Sequence, residues 1–116
     1  MLFRSDMETI LTSVTKTGRL IAADTGWKIG GFGSEILASV AEQAFESLKA
    51  PPRRIGLADC PIPASQALSN LCYPRAADLS AVVCELLGTP KNAIQISEAP
   101  ATVPLDVPDA SFSGPF

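Results

Sequence analysis

The run Asp24-Thr25-Gly26-Trp27-Lys28-Ile29-Gly30-Gly31-Phe32-Gly33-Ser34-Glu35-Ile36 joins two segments of different hydrophobic period, and this junction constrains the whole chain. Before it, Arg19-Leu20-Ile21-Ala22-Ala23 is short and almost continuously apolar, as expected of a strand covered on both faces in a parallel sheet. After it, Ile36, Leu37, Val40, Ala41, Ala44, Phe45 and Leu48 recur at the spacing of one helix face. Ala50-Pro51-Pro52 stops that helix, and Arg53 to Leu57 reads as a second strand. Strand, glycine-rich turn, helix and strand make a βαβ unit, whose crossover is right-handed in nearly all known cases. The remaining segments must pack around it.

Local signals place those segments. Asp6 is a candidate N-cap for a helix whose apolar positions are Met7, Ile10, Leu11 and Val14, and Gly18 is placed to end it in a left-handed cap. Thr9 rather than Glu or Gln stands three residues after the cap, so no full capping box is expected, and Glu8 favours the first turn through the helix dipole. Past Leu57, two prolines one residue apart make residues 58–65 irregular. A short helix from Ser65 or Ala64 through Leu71 is broken at Tyr73-Pro74. A last helix runs from about Ala77 to Leu87, with Gly88 as its terminator. From Pro90 on, five of the ten prolines occur in an apolar tail that includes Val103, Leu105, Phe112 and Phe116. It reads either as an unstructured terminus or as an extended strap across a neighbouring subunit.

Composition removes several classes of function. The chain has 116 residues, 47% hydrophobic and 18% charged, which suits one globular domain. A net charge of −3 with no dense basic patch argues against nucleic acid. No apolar run is long enough for a membrane span, and residues 1–5 lack the layout of a signal peptide. Cys60, Cys72 and Cys84 form no CxxC pair. They read as reduced thiols of a cytoplasmic chain, and their even spacing of twelve carries no signal by itself. There is no histidine, so the usual general base, the Ser-His-Asp and Cys-His nucleophile systems and His-based metal sites are all missing.

The glycine run invites a phosphate-binding reading, because glycines before a helix N-terminus can cradle anions. It lacks both GxGxxG and GxxxxGK[ST], and Lys28 precedes the glycine pair instead of following it. Tight turning is the first explanation of the glycines. Trp27 and Phe32 beside them point to a loop that is either packed in the core or facing a partner.

Several motifs in order carry a family resemblance. Thr17 to Asp24, Gly26-Trp27 and Gly30-Gly31-Phe32-Gly33-Ser34-Glu35-Ile36 resemble the C-terminal, transketolase-type domain of the β subunit of thiamine-diphosphate-dependent 2-oxo acid dehydrogenases (pyruvate, branched-chain or acetoin type). Ala44-Phe45 before Leu48-Lys49-Ala50-Pro51, the Cys60-Pro61-Ile62-Pro63 loop and Tyr73-Pro74 fit the same pattern. The resemblance runs from about Asp6 to Gly88. It implies an α/β fold, a three-layer α/β/α transketolase C-terminal-like domain, with residues 1–88 as a partial domain and residues 89–116 as an extended proline-rich tail. The strands and helix that open the family domain have no counterpart here beyond Leu2-Phe3-Arg4-Ser5, so the domain reads as N-terminally truncated, its apolar strand left with an unpaired edge that favours homo-oligomers of the isolated chain.

The function the resemblance implies is non-catalytic: assembly of the decarboxylating component, through a β-subunit copy and the α subunit, and docking to the acyltransferase core. Thiamine diphosphate and Mg are expected in the parent enzyme. No catalytic, cofactor-binding or metal-binding residue carries over, since the family's contacts lie in the α subunit and upstream in β. The expected partner contacts are Trp27, Lys28, Ile29, Gly30, Gly31 and Phe32, with Val103, Leu105, Phe112 and Phe116 of the tail. The alternatives are an independent small-molecule or nucleotide-binding domain using Asp24 at a strand end beside the glycine turn, and an enzyme using Asp24, Glu35 or Asp59 as acid or base.

Overall fold

The computed structural model describes residues 6–90 together with Ala93, Ile94 and Ile96. The tail positions Val103, Leu105, Phe112 and Phe116, and residues 2–5, lie outside the described residues. The elements are α1 (Met7–Thr17), β1 (Ile21–Trp27), α2 (Phe32–Ala44), a 3-10 turn (Phe45–Ser47), β2 (Arg53–Leu57), α3 (Gln66–Ser69) and α4 (Ala76–Leu87).

Both ends of α1 are fixed by the residues that signalled them. The Thr9 backbone N–H donates to Asp6 Oδ1 at 3.1 Å, and the Thr9 hydroxyl donates to Asp6 Oδ2 at 2.6 Å. Gly18 closes the helix at φ 74°, donating to the Val14 carbonyl at 2.7 Å. Its own carbonyl accepts from Lys49 N–H at 2.8 Å, which ties the end of α1 to the segment after the 3-10 turn. Val14, Val40 and Ala44 are buried where α1 meets α2, with Met7, Ile10, Leu11, Leu20 and Leu48 packed around them. This interhelical layer is one buried cluster; Ala22, Leu57, Cys72 and Cys84 are buried outside it.

The βαβ unit is present: β1 and β2 pair in parallel, Ile21 opposite Arg53, Ala22 opposite Arg54 and Ala23 opposite Ile55. The register then slips, and Trp27 stands opposite Leu57. Asp24, Thr25 and Gly26 thus bulge against the single residue Gly56. A side chain at Gly56 would begin 2.9 Å from the Gly26 carbonyl oxygen, so the bulge needs a glycine across from it. This corrects the expected Arg19–Ala23 strand. Pairing starts two residues later and continues through Trp27, because the Gly56 backbone admits the bulged strand.

Two further boundaries move for local reasons. Helix α2 begins at Phe32, so that Gly33, read from the sequence as part of the turn, lies inside its first turn: Gly31 adopts the extended N-cap conformation, and the Gly33 backbone packs close to Ala22, whose Cβ would lie 3.4 Å from an added Cβ. At the other end the helix tightens at Phe45 into the 3-10 turn, which changes the phase of the apolar face and leaves Phe45 70% exposed. Nor is β1 covered along its length on both faces. Ala22 is buried, while Ala23, Asp24 and Thr25 are exposed.

Alternation along the strands sorts the helices into layers. Ala22 and Arg54 face α2, whereas Ile55 and Ala23 line a groove with Leu79 of α4, and Arg53 reaches Glu85 of α4 at 2.5 Å. The sheet therefore sits between α1–α2 and α4, a three-layer α/β/α arrangement. Helix α4 has its own punctuation. The Arg75 N–H donates to Asp78 Oδ2 at 2.8 Å, and Gly88 ends the helix at φ 67°. Arg19 Nε donates to the Leu86 carbonyl at 2.8 Å, fastening the far end of α4 to the entry of β1.

The Asp6 cap makes stability depend on acid. The Thr9 hydroxyl, and then the Thr9 N–H, hold the Asp6 carboxyl below its usual value of 3.8. A carboxyl lowered by folding contributes stability that is complete above its unfolded value and is lost as pH falls through the folded one. Asparagine keeps the cap but cannot titrate. Melting temperatures measured from neutral pH to below the carboxylate range are expected to fall more steeply for the parent chain than for Asp6→Asn; parallel curves would contradict the assignment.

Candidate functional site

The segment between β1 and α2, residues 28–31, is short and strongly shaped. Gly30 sits at φ 68°, and Gly31 is so close to the strand that an added Cβ would collide with the Trp27 carbonyl oxygen. Arg54, pointing from β2 to this side of the sheet, donates through Nη1 to the Lys28 carbonyl at 2.9 Å and to Ser34 Oγ at 2.5 Å. The Ser34 hydroxyl donates in turn to the Lys28 carbonyl at 3.3 Å, and Ser34 N–H donates to the Gly31 carbonyl at 2.9 Å. A guanidinium, a hydroxyl and a carbonyl thus clip the loop from beneath.

What the clip holds outward is apolar. Trp27 is 52% exposed, Ile29 63% and Phe32 41%. Packing in the domain's own core therefore does not account for Trp27 and Phe32 in this chain. The loop borders an open groove of about 770 Å³ between Met7 of α1 and the first turns of α2, floored by Gly30, Gly31, Ser34 and Ile36. Of Trp27 to Phe32, named from the sequence as contact residues, Gly30, Gly31 and Phe32 line this groove, while Trp27 and Ile29 are exposed in the chain just before them. The tail residues named with them lie outside the described residues.

The residues of the competing readings are not brought together. Asp24 lies within β1, not at its end, and lines a separate groove of about 470 Å³ with Arg75 and Leu79, away from Gly30 and Gly31. Glu35 borders the other groove, and Asp59 lines neither. Among the described residues no group of three or more His, Cys, Asp or Glu converges. Among the same residues no helix is long and apolar enough to cross a membrane.

Sequence reasoning overlooked Arg54 and Ser34. A usable signal was present, since consecutive Arg53 and Arg54 on one strand must point to opposite faces.

A family model described as transketolase, C-terminal domain, matches residues 2–79. The chain belongs to that family. Curated relatives of this transketolase C-terminal domain include the mitochondrial pyruvate dehydrogenase E1 component subunit beta of Chaetomium thermophilum, 45% identical over 69 residues, which are 60% of the chain and 18% of that relative. The pyruvate dehydrogenase E1 component subunit beta of Rickettsia bellii is 39% identical over 74 residues, 64% of the chain and 23% of that protein. The mitochondrial subunit beta-1 of Arabidopsis thaliana is 42% identical over 74 residues, 64% of the chain and 20% of that protein. The matches thus span about a fifth of the length of these relatives.

The polar clip gives a direct test in this transketolase C-terminal domain, because Trp27 is the sole tryptophan and reports on the loop. Arg54→Leu removes both donations while keeping an apolar stem. It is expected to lower stability by about 1–3 kcal/mol and to increase acrylamide quenching of Trp27 fluorescence. Unchanged quenching would show that the loop holds its shape without Arg54.

Proposed function

We propose that this chain is the C-terminal domain of the β subunit of a 2-oxo acid dehydrogenase decarboxylating component, and that it acts by contact, not by turnover. In this reading it pairs with a β-subunit copy and with the α subunit, and offers a docking surface to the acyltransferase core. The likeness to pyruvate dehydrogenase E1 β subunits supports the choice of enzyme. The observation that carries the contact role is the outward display of Trp27, Ile29 and Phe32 on a loop already fixed by Arg54 and two glycines. Aromatic anchors supply much of the energy of protein interfaces, and a loop ordered before binding loses little freedom on association.

The sheet supports self-association of the isolated chain as well. Among the described residues β1 and β2 pair only with each other, so each has one edge with no strand beside it. Thiamine diphosphate and Mg belong, in this proposal, to the remainder of the parent enzyme. A reducing, cytoplasmic setting is in keeping with three cysteines that form no disulfide.

Light scattering across a concentration series tests the contact role. The parent chain is expected to associate, and Trp27→Ala to weaken that association by roughly 2–4 kcal/mol, about 30- to 1,000-fold in Kd, with the far-ultraviolet circular dichroism of the monomer unchanged. A parent chain that stays monomeric, or a Trp27→Ala chain that loses its helical signal, would overturn it.

A further inference from the structure

Two cysteines from opposite ends of the segment between β2 and α4 meet. Cys60 Sγ lies 3.7 Å from Cys72 Sγ, in contact but unbonded. The backbone holds them there from both sides. Ala58 N–H donates to the Cys72 carbonyl at 3.1 Å, and Cys60 N–H donates to the Ala58 carbonyl at 2.8 Å. Cys72 N–H donates to the Ser69 carbonyl at 2.9 Å, which hangs this residue on the end of α3. Cys60 is exposed, whereas Cys72 is 7% exposed. The interaction loop uses neither thiol.

We propose that Cys60 and Cys72 form a reversible dithiol–disulfide pair, oxidised by hydrogen peroxide, that closes a covalent ring around α3. Cys60, reached from solvent, attacks peroxide as the thiolate. A sulfur–oxygen bond forms, the oxygen–oxygen bond breaks, and the departing hydroxide takes up a proton to become water. Cys72 then loses its proton and attacks the Cys60 sulfur. The sulfur–sulfur bond forms, the sulfur–oxygen bond breaks, and hydroxide leaves with that proton as a second water. Two thiols have given two electrons to one peroxide, and a dithiol reductant reverses the change. Burial, and then the adjoining Cys60 sulfur, push the Cys72 thiol up, which suits the second role and not the first.

The cysteine spacing supplies an internal control. Residues 60 and 72 are as far apart in sequence as residues 72 and 84, so in an unfolded chain the two rings close about equally often. Cys84, fully buried in α4, belongs to the second ring only. Trypsin separates the products: cleavage after Arg54, Arg75 and Lys91 leaves Cys60 and Cys72 in one peptide and Cys84 in the next.

The full reduced chain, treated with equimolar hydrogen peroxide and then alkylated, is expected to yield peptide 55–75 lighter by two hydrogens. This product should exceed the cross-linked pair 55–75 and 76–91 by at least about 10-fold, and in concentrated urea the excess should collapse to within about 2-fold. In Cys72→Ser, sulfenic acid at Cys60 is expected to be trapped by dimedone several-fold more than in the parent. Equal product ratios in buffer and urea, or Cys60 driven to sulfinic acid while Cys72 remains alkylatable, would overturn the proposal.

Discussion

The close backbone approach of Gly56 to Gly26 is the constraint on which the rest of this structure depends. In a parallel pair the strands normally keep step, and an extra residue on one must be absorbed by a bend. Here three residues of β1 are absorbed against one of β2, which only a missing side chain allows. The bulge resets the direction of the chain before Trp27. It thereby decides where the loop to α2 begins, which way Trp27 faces, and how near Arg54 comes to the Lys28 carbonyl.

The loop itself joins two kinds of physics usually found apart. Below it are short polar contacts to Arg54 and Ser34, and above it are large apolar side chains turned to water. Exposed tryptophan and phenylalanine are poor value for a domain that works alone, since burying them would contribute to folding. A fixed platform presenting them is what the proposed contact role would use.

How much of this was legible in the residues divides cleanly by range. Asp6, Gly18 and Gly88 marked helix ends because capping is settled within a few residues, and Arg53–Leu57 was visible as a strand because stops bounded it on both sides. The bulge was not visible, because Gly26 and Gly56 matter only as neighbours across the sheet. The first turn of α2 was not legible, because glycines normally argue against a helix and Gly33 was counted with the loop. Phe45 was assigned to the buried face by a period that ceased to hold one residue earlier. Trp27 to Phe32 could be named as contact candidates from their types, but the clip beneath them required the fold. The pairing of Cys60 with Cys72 likewise depends on α3 turning the chain back.

The tether from Arg19 to the last turn of α4 fixes more than position. A helix carries partial negative charge at its carboxyl end, and a guanidinium placed on the Leu86 carbonyl meets that charge with its own positive one. Were α4 laid down in the reverse direction, the same arginine would confront the positive amino end. The tether therefore favours the direction in which α4 runs over its reverse, adding a modest polar preference where apolar contact alone distinguishes little.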